Sequence, residues 1–227
     1  MKRVLGRLRA SGRPKVHFLH IGKTGGSAIR GALRDCRLAG AYELMLHSHG
    51  VSLSDVPVGE KVTFFLRDPV SRFISGFYSR KRKGQPRYQS EWNELEAEVF
   101  TAFDTPNSLA EALGDGDHQH HELAHQAMEQ IQHLGHYSQW LVSMEYLQSR
   151  ASDVFFVGYQ DSLSRDFEAL KSKLNLGSDV VLPDDDVGAH RNPKGLDKSL
   201  SESARATLEA WFAEDQAMLD YCRRSFT

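Results

Sequence analysis

Short apolar runs alternate along this chain with longer segments in which apolar residues recur every three or four positions. The apolar runs predict buried strands at about 15–21, 41–46, 61–66 and 153–158. The helical spacing predicts helices from Ser27 to about Leu38, from Pro69 to about Arg80, and near 91–102, 106–113, 119–133, 138–149, 162–174 and 201–222. This alternation predicts an α/β fold, a three-layer P-loop-like domain with a mostly parallel central sheet flanked by helices.

The first strand breaks into the loop Gly22–Ser27, which holds three glycines, one lysine and two hydroxyls. A strand, a glycine loop and a helix can cradle a phosphate, because backbone N–H groups approach the anion and Lys23 adds a full charge. A plain strand-to-helix connection has the same local pattern. The Walker A spacing fails, because His17 occupies the position that requires glycine. An ordinary P-loop NTPase is therefore disfavoured.

The strand at 61–66 runs directly into Arg67, Asp68 and Pro69. Asp68 suits the N-cap of the next helix and Pro69 suits its first turn. Arg67 then stands at the strand end, either as a ligand for an anion or in an ion pair with a neighbouring carboxylate. Ser75 follows in the second turn of the helix, whereas Arg72 lies beyond the strand edge and is expected to be structural.

Length, composition and charge are ordinary for a globular protein. The chain has 227 residues, 40% of them hydrophobic and 26% charged, with a net charge of -2. This predicts a single domain over residues 15–227 after a basic tail at 1–14, with no general affinity for nucleic acid. Cys36 and Cys222 are expected to be free thiols on apolar helix faces. No apolar stretch is long enough for a membrane span, so a cytoplasmic location is expected.

The segments His20–Ser27 and Phe65–Ser79 together resemble the sulfotransferase family that uses 3′-phosphoadenosine 5′-phosphosulfate (PAPS), and most closely its carbohydrate branch, which includes heparan sulfate 2-O-sulfotransferase. In that family the first motif reads roughly P-K-T-G-G-T-S and cradles the 5′-phosphosulfate. The second reads R-D-P-x-x-R-x-x-S and binds the 3′-phosphate. Two departures are Gly22 in place of proline and Ser27 in place of threonine.

The resemblance implies PAPS as cofactor and sulfuryl transfer to an acceptor hydroxyl, with adenosine 3′,5′-bisphosphate as product and no metal required. Arg67 and Ser75 take the positions that bind the 3′-phosphate, and Arg191 lies in a loop where the family often places cofactor contacts. The loop contacts are expected from Gly22, Lys23, Thr24, Gly25, Gly26 and Ser27. Lys23 is the candidate catalytic cation, because charge grows on the bridging oxygen during the displacement.

A base must accept the proton of the acceptor hydroxyl, and histidine suits this role near neutral pH. His47 and His49 follow the predicted strand at 41–46, and they resemble the H-G-H segment whose histidines serve catalysis in heparan sulfate 2-O-sulfotransferase. We predict His49 as the base and His47 as its support, although their order is open. A pair of surface histidines in a loop is the alternative.

Other charged and histidine-rich segments have weaker indications. His121 and His125 have a spacing that can bind zinc, but a solvated helix or an acceptor-binding surface is favoured. The basic run 80–87 either steers an anionic saccharide or is a solvated helix end. The mainly helical segment 85–150 is expected to bind the acceptor, and a saccharide is the expected acceptor. A divergent nucleotide kinase-like protein and a nucleotide-binding module without catalysis are the alternative functions.

Overall fold

The computed structural model describes residues 12–86, 88–115, 117–185, 193 and 195–226. Its centre is a five-stranded sheet whose strands are β1 (Lys15–Phe18), β2 (Leu38–Ala39), β3 (Tyr42–Leu46), β4 (Lys61–Leu66) and β5 (Val154–Tyr159), in the order β2-β3-β1-β4-β5. The four longer strands are parallel, and the short β2 pairs antiparallel with β3. The predicted fold class, with a mostly parallel central sheet, is confirmed.

Ten helices lie in the described part of the chain. They are α1 (Gly26–Ala32), α2 (Pro69–Lys81), α3 (Glu94–Ala102), α4 (Pro106–Asp115), α5 (His118–Gln130), α6 (Ser138–Leu141), α7 (Met144–Ser149), α8 (Leu163–Leu174), α9 (Glu202–Trp211) and α10 (Ala213–Ser225). None of these helices is long and apolar enough to cross a membrane.

Helices cover both faces of the sheet. Apolar residues of α1 and α8 pack with β1, β3 and Phe65 on one face. Residues of α6, α7 and α10 pack against Val62, Phe64 and Leu66 on the other. A third core lies outside the sheet, where α2 packs with α3, α4, α5 and α9. Alternate residues of β4 point to opposite faces of the sheet. This one apolar strand therefore contributes side chains to the cores on both faces.

Several predicted elements are shorter than their patterns suggested. The first strand ends at Phe18, and α1 ends at Ala32. Cys36 therefore lies beyond the helix and is half-buried, whereas Cys222 is buried on α10, and both thiols are free. The helix predicted at 138–149 is broken at Val142, whose φ is 72°. The helix predicted at 201–222 is broken at Phe212, which the core buries.

The start of α2 follows the prediction closely. Asp68 is the N-cap and its Oδ1 accepts a hydrogen bond of 2.7 Å from the Ser71 backbone N–H, while Pro69 opens the first turn. This bond satisfies one of the donors that a helix start leaves unpaired. The Asp68 carboxylate therefore caps α2, and its charge also acts on the neighbouring Arg67 guanidinium.

Candidate active site

The glycine loop and the Arg67 turn meet at the carboxyl ends of β1 and β4, which are neighbouring parallel strands. The Arg67 Nη1 donates a hydrogen bond of 3.4 Å to the carbonyl oxygen of Lys23. Ligand sites in open α/β sheets form at this edge. The structure therefore brings the two sequence motifs, 44 positions apart, to one place.

A cavity of about 510 Å³ opens at this edge. Seven of the residues proposed from the sequence line it: Lys23, Gly25, Gly26, Ser27, His49, Arg67 and Ser75. The wall is completed by residues that the sequence did not single out as ligands, among them His20, Ile74, Tyr88, His133, Gln160, Leu163 and Lys198. The predicted site residues thus share one cavity, with three exceptions among the described ones.

Those exceptions are Gly22, Thr24 and His47. The Thr24 side chain is buried and donates a hydrogen bond of 2.9 Å to the Ile21 carbonyl, so it shapes the loop from inside. Gly22 packs under the ring of His133. The predicted cofactor contact Arg191 lies outside the described residues, as do His190 and Lys194.

The loop glycines are required where the chain turns into α1. Gly25 has a φ of 90°, which lies in the left-handed region that a side chain disfavours. A Cβ atom at Gly26 would overlap the ring of His20. The two glycines therefore let the loop fold closely over His20 and against Leu163.

Lys23 is the cation at the floor of the cavity. Burial, together with the nearby positive charges of Arg82 and Arg67, lowers the pKa of its ammonium to about 7. Among the described residues, no carboxylate forms an ion pair with Lys23. A cation held this way is ready for an anion that enters the cavity, because the anion would restore its charge.

Arg67 is held by its backbone and leaves its side chain available. The Tyr137 hydroxyl accepts a hydrogen bond of 3.0 Å from the Arg67 N–H and donates one to the Arg67 carbonyl. The Nε of Arg67 is buried without a hydrogen-bond partner, and no described carboxylate pairs with the guanidinium. The ion-pair alternative considered for Arg67 is therefore absent from the described residues.

The hydrogen bonding of His49 fixes its tautomer. Its Nδ1 lies 2.9 Å from the carbonyl oxygen of His20, which can only accept, so Nδ1 carries the proton. The Nε2 atom then holds a lone pair. Burial lowers the pKa of His49 and the nearby Lys23 adds to this effect, so the ring is neutral at pH 7.

His47 lies apart from that arrangement. Its Nε2 is 2.7 Å from Nδ1 of His17, and Nε2 of His17 is 2.5 Å from a carboxylate oxygen of Glu60. The His47 and His17 rings stack at 5.0 Å. His47 follows β3 and pairs with His17 on the neighbouring strand β1. The ring of His20 contacts His49 instead.

The remaining polar candidates have structural partners. Arg72 is fully buried beside the Tyr137 ring, 4.9 Å from its centroid, and donates to the Gly135 carbonyl, as expected for a structural residue. His136 contacts the buried carboxylate of Asp215 at 2.7 Å. Arg80, in the basic run, forms a buried ion pair with Glu96. Among the described residues, no cluster of histidine, cysteine, aspartate or glutamate side chains could hold a metal.

Sequence reasoning missed the roles of His20, His133 and Tyr137. His20 stands inside the first motif but before its glycines, so no ligand pattern marked it. His133 and Tyr137 lie more than 60 positions from Arg67, and only packing brings them to the site. A buried tyrosine whose hydroxyl needs a partner is the one available signal.

These features define an α/β protein with a cavity, lined by Lys23 and Arg67, at the carboxyl edge of a parallel sheet. The chain belongs to the sulfotransferase family: the model described as "Sulfotransferase family" matches residues 7–222. None of the curated proteins compared with the chain matches it.

Proposed function

We propose that this sulfotransferase uses PAPS as its donor and sulfates an acceptor hydroxyl, with His49 as the general base. One observation carries the proposal: Lys23 and Arg67 line one cavity without carboxylate partners among the described residues, and Arg67 Nη1 bonds the Lys23 backbone. Two anion-binding cations joined in this way suit a nucleotide with phosphate at both its 3′ and 5′ positions.

The residues present fit such a donor. The buried Nε of Arg67 has no hydrogen-bond partner, which is costly unless a ligand supplies an acceptor. Arg67 and Ser75 would hold the 3′-phosphate, while Lys23, Gly25, Gly26 and Ser27 would hold the 5′-phosphosulfate. When bound, PAPS supplies an activated sulfuryl group and leaves as adenosine 3′,5′-bisphosphate.

His49 and Lys23 then have separate tasks. His49 Nε2 accepts the acceptor proton while the acceptor oxygen bonds to sulfur. Lys23 offsets the negative charge that grows on the departing phosphate oxygen, and no metal is needed for that charge. General base catalysis of this kind contributes about 10²–10⁴-fold to a rate.

The acceptor class rests on the resemblance to carbohydrate sulfotransferases and on the exposed rim of the cavity. Tyr88 is 42% exposed and lines the cavity together with Lys198. An aromatic face and a cation suit a saccharide that carries negative charge. We propose that segment 85–150, whose helices α3–α5 form a core with α2, shapes the acceptor side.

A thermal-shift comparison tests the donor. Adenosine 3′,5′-bisphosphate should raise the melting temperature strongly, whereas ATP with magnesium should have little effect. The reverse result would contradict the proposal and favour a nucleotide kinase-like protein. The Lys23→Ala variant should lose transfer of labelled sulfate from PAPS. Binding without transfer to any acceptor in a broad screen would point to a non-catalytic module.

A further inference from the structure

A third histidine, His133, completes the group of rings beside Lys23. It follows α5, is only 4% exposed, and lines the cavity. Its ring lies 5.0 Å from that of His49 in an edge-to-face arrangement. No sequence motif marked this residue, because it lies in the loop between α5 and α6.

Two glycines on separate elements make room for His133. A Cβ atom at Gly22 would overlap Nδ1 of His133, and one at Gly76 would lie 2.5 Å from its carbonyl oxygen. Gly22 stands where the related motif has proline, and a proline there would collide with this ring. The same steric constraint therefore accounts for glycine in place of proline at position 22 and for the position of the His133 ring.

The backbone of His133 has a φ of 76°, in the left-handed region that residues other than glycine adopt uncommonly, although asparagine, aspartate and histidine do so more often than the rest. Such strain persists only where the surrounding structure fixes it, and it concentrates at functional sites. A residue that merely filled space would not require this conformation or a polar ring, because leucine fills a similar volume.

The surroundings of the ring select its tautomer. Nδ1 is buried against Gly22 and has no hydrogen-bond partner. A proton on Nδ1 would be a buried donor without an acceptor, which is costly, so the proton belongs on Nε2. Burial lowers the pKa of His133 well below its usual value, and the charge of Lys23 acts in the same direction, so the ring is neutral.

We propose that His133 is a further catalytic residue, which donates a hydrogen bond from Nε2 to an oxygen of the sulfuryl group. The inference rests on the proposed function. The His133 ring contacts that of His49 and lies close enough to Lys23 to feel its charge, and these are the two residues proposed to act on the transferred group, so we assign His133 to that group. Two adjacent rings then have opposite tasks: His49 presents a lone pair to the acceptor, and His133 presents an N–H to the sulfuryl oxygen.

Three variants test this role. His133→Leu keeps the volume but removes the donor. His133→Gln keeps an N–H at a similar reach, since the glutamine amide nitrogen replaces Nε2. Gly22→Ala leaves His133 in the sequence but displaces its ring. The measurements are kcat for sulfate transfer, Kd for PAPS without acceptor, and Kd for adenosine 3′,5′-bisphosphate, which lacks the sulfuryl group.

We expect His133→Leu and Gly22→Ala to lower kcat by about 10²-fold, as loss of one transition-state donor does. Both variants should weaken the binding of PAPS more than the binding of adenosine 3′,5′-bisphosphate. His133→Gln should recover most of kcat. A kcat for His133→Leu within threefold of wild type, or equal weakening of the two nucleotides, would overturn the inference.

Imidazole ¹⁵N NMR of the wild-type protein gives a readout that needs no turnover and no stable His133→Leu variant. We expect a neutral His133 with its proton on Nε2, and a change in this N–H signal with PAPS that adenosine 3′,5′-bisphosphate does not produce. A proton on Nδ1 or a charged ring would refute the inference. Failure of the proposed function looks different, because the wild type would then bind neither nucleotide.

Discussion

Tyr137 holds Arg67 by both polar groups of its backbone, since one hydroxyl accepts from the Arg67 N–H and donates to the Arg67 carbonyl. Tyr137 is itself fixed by a hydrogen bond from its backbone N–H to Asp215 on α10. The start of α6 and the last helix therefore position the residue proposed to bind the 3′-phosphate.

Tyr137→Phe removes both hydrogen bonds and keeps the ring. We expect the variant to lose about 1–3 kcal/mol of stability, because two buried backbone groups lose their partner. Affinity for adenosine 3′,5′-bisphosphate should fall about tenfold, which corresponds to about 1.4 kcal/mol. Urea denaturation and calorimetric titration measure the two effects.

Tyr146→Phe is the matched control, because its hydroxyl accepts a hydrogen bond of 3.1 Å from Arg150, and neither residue lines the cavity. It should lose stability without losing affinity. If both variants leave the affinity unchanged, the Tyr137 hydroxyl does not position Arg67.

Binding of adenosine 3′,5′-bisphosphate should take up a proton at pH 8. The pKa of Lys23 is about 7 in the free protein, so most of this side chain is neutral at pH 8 and an anion raises the pKa again. Calorimetry in buffers of different ionisation enthalpy counts the protons. Uptake should vanish at pH 6, where Lys23 is already charged, and in Lys23→Met at every pH. Undiminished uptake in Lys23→Met would contradict the assignment.

The lowered pKa of Lys23 also makes the stability of the folded protein depend on pH. The unfolded chain binds a proton at Lys23 up to about pH 10.4, whereas the folded free protein releases it near pH 7. Since the unfolded state binds more protons between these values, the Lys23 contribution to stability rises with pH across this window. Urea midpoints of the free wild-type protein should gain more from pH 7 to pH 9 than those of Lys23→Met.

His49→Gln should lower kcat by about 10²–10⁴-fold, the usual contribution of a general base. Burial lowers the pKa of His49, so the loss of wild-type kcat/KM on the acid side should set in below about pH 6.5. His47→Gln should stay within threefold of wild type, because His47 contacts His17 and not the cavity. If kcat fell strongly in His47→Gln while His49→Gln stayed active, His47 and not His49 would be the base.

Arg80 and Glu96 join α2 to α3 through two hydrogen bonds of 2.6 Å, and both side chains are about 95% buried. Glu96→Gln leaves a buried guanidinium without its counter-charge, so we expect a loss of about 3–5 kcal/mol in urea denaturation. The exposed pair Arg205 and Glu209 is the control, and Arg205→Ala should cost less than about 1 kcal/mol. If Glu96→Gln and Arg205→Ala lost the same free energy of unfolding, Arg80 would have another hydrogen-bond acceptor.

The sequence by itself determined the four longer strands, the α2 cap and seven of the residues that line the cavity. Apolar runs identify strands buried on both faces, and Asp68 with Pro69 marks a helix start through purely local chemistry. The positions of Lys23 and Arg67 follow as well, because the carboxyl ends of neighbouring parallel strands share one edge.

Only the tertiary structure decided which histidine faces the cavity and what surrounds it. His47 and His49 have the same sequence context, but the neighbouring ring differs, since His17 pairs with His47 and His20 contacts His49. His133 and Tyr137 reach the site through packing across more than 60 positions. Local patterns indicate the period and propensity of an element. Contacts between distant segments depend instead on side-chain volume and on the room that Gly22 leaves for the His133 ring and Gly76 for the His133 backbone.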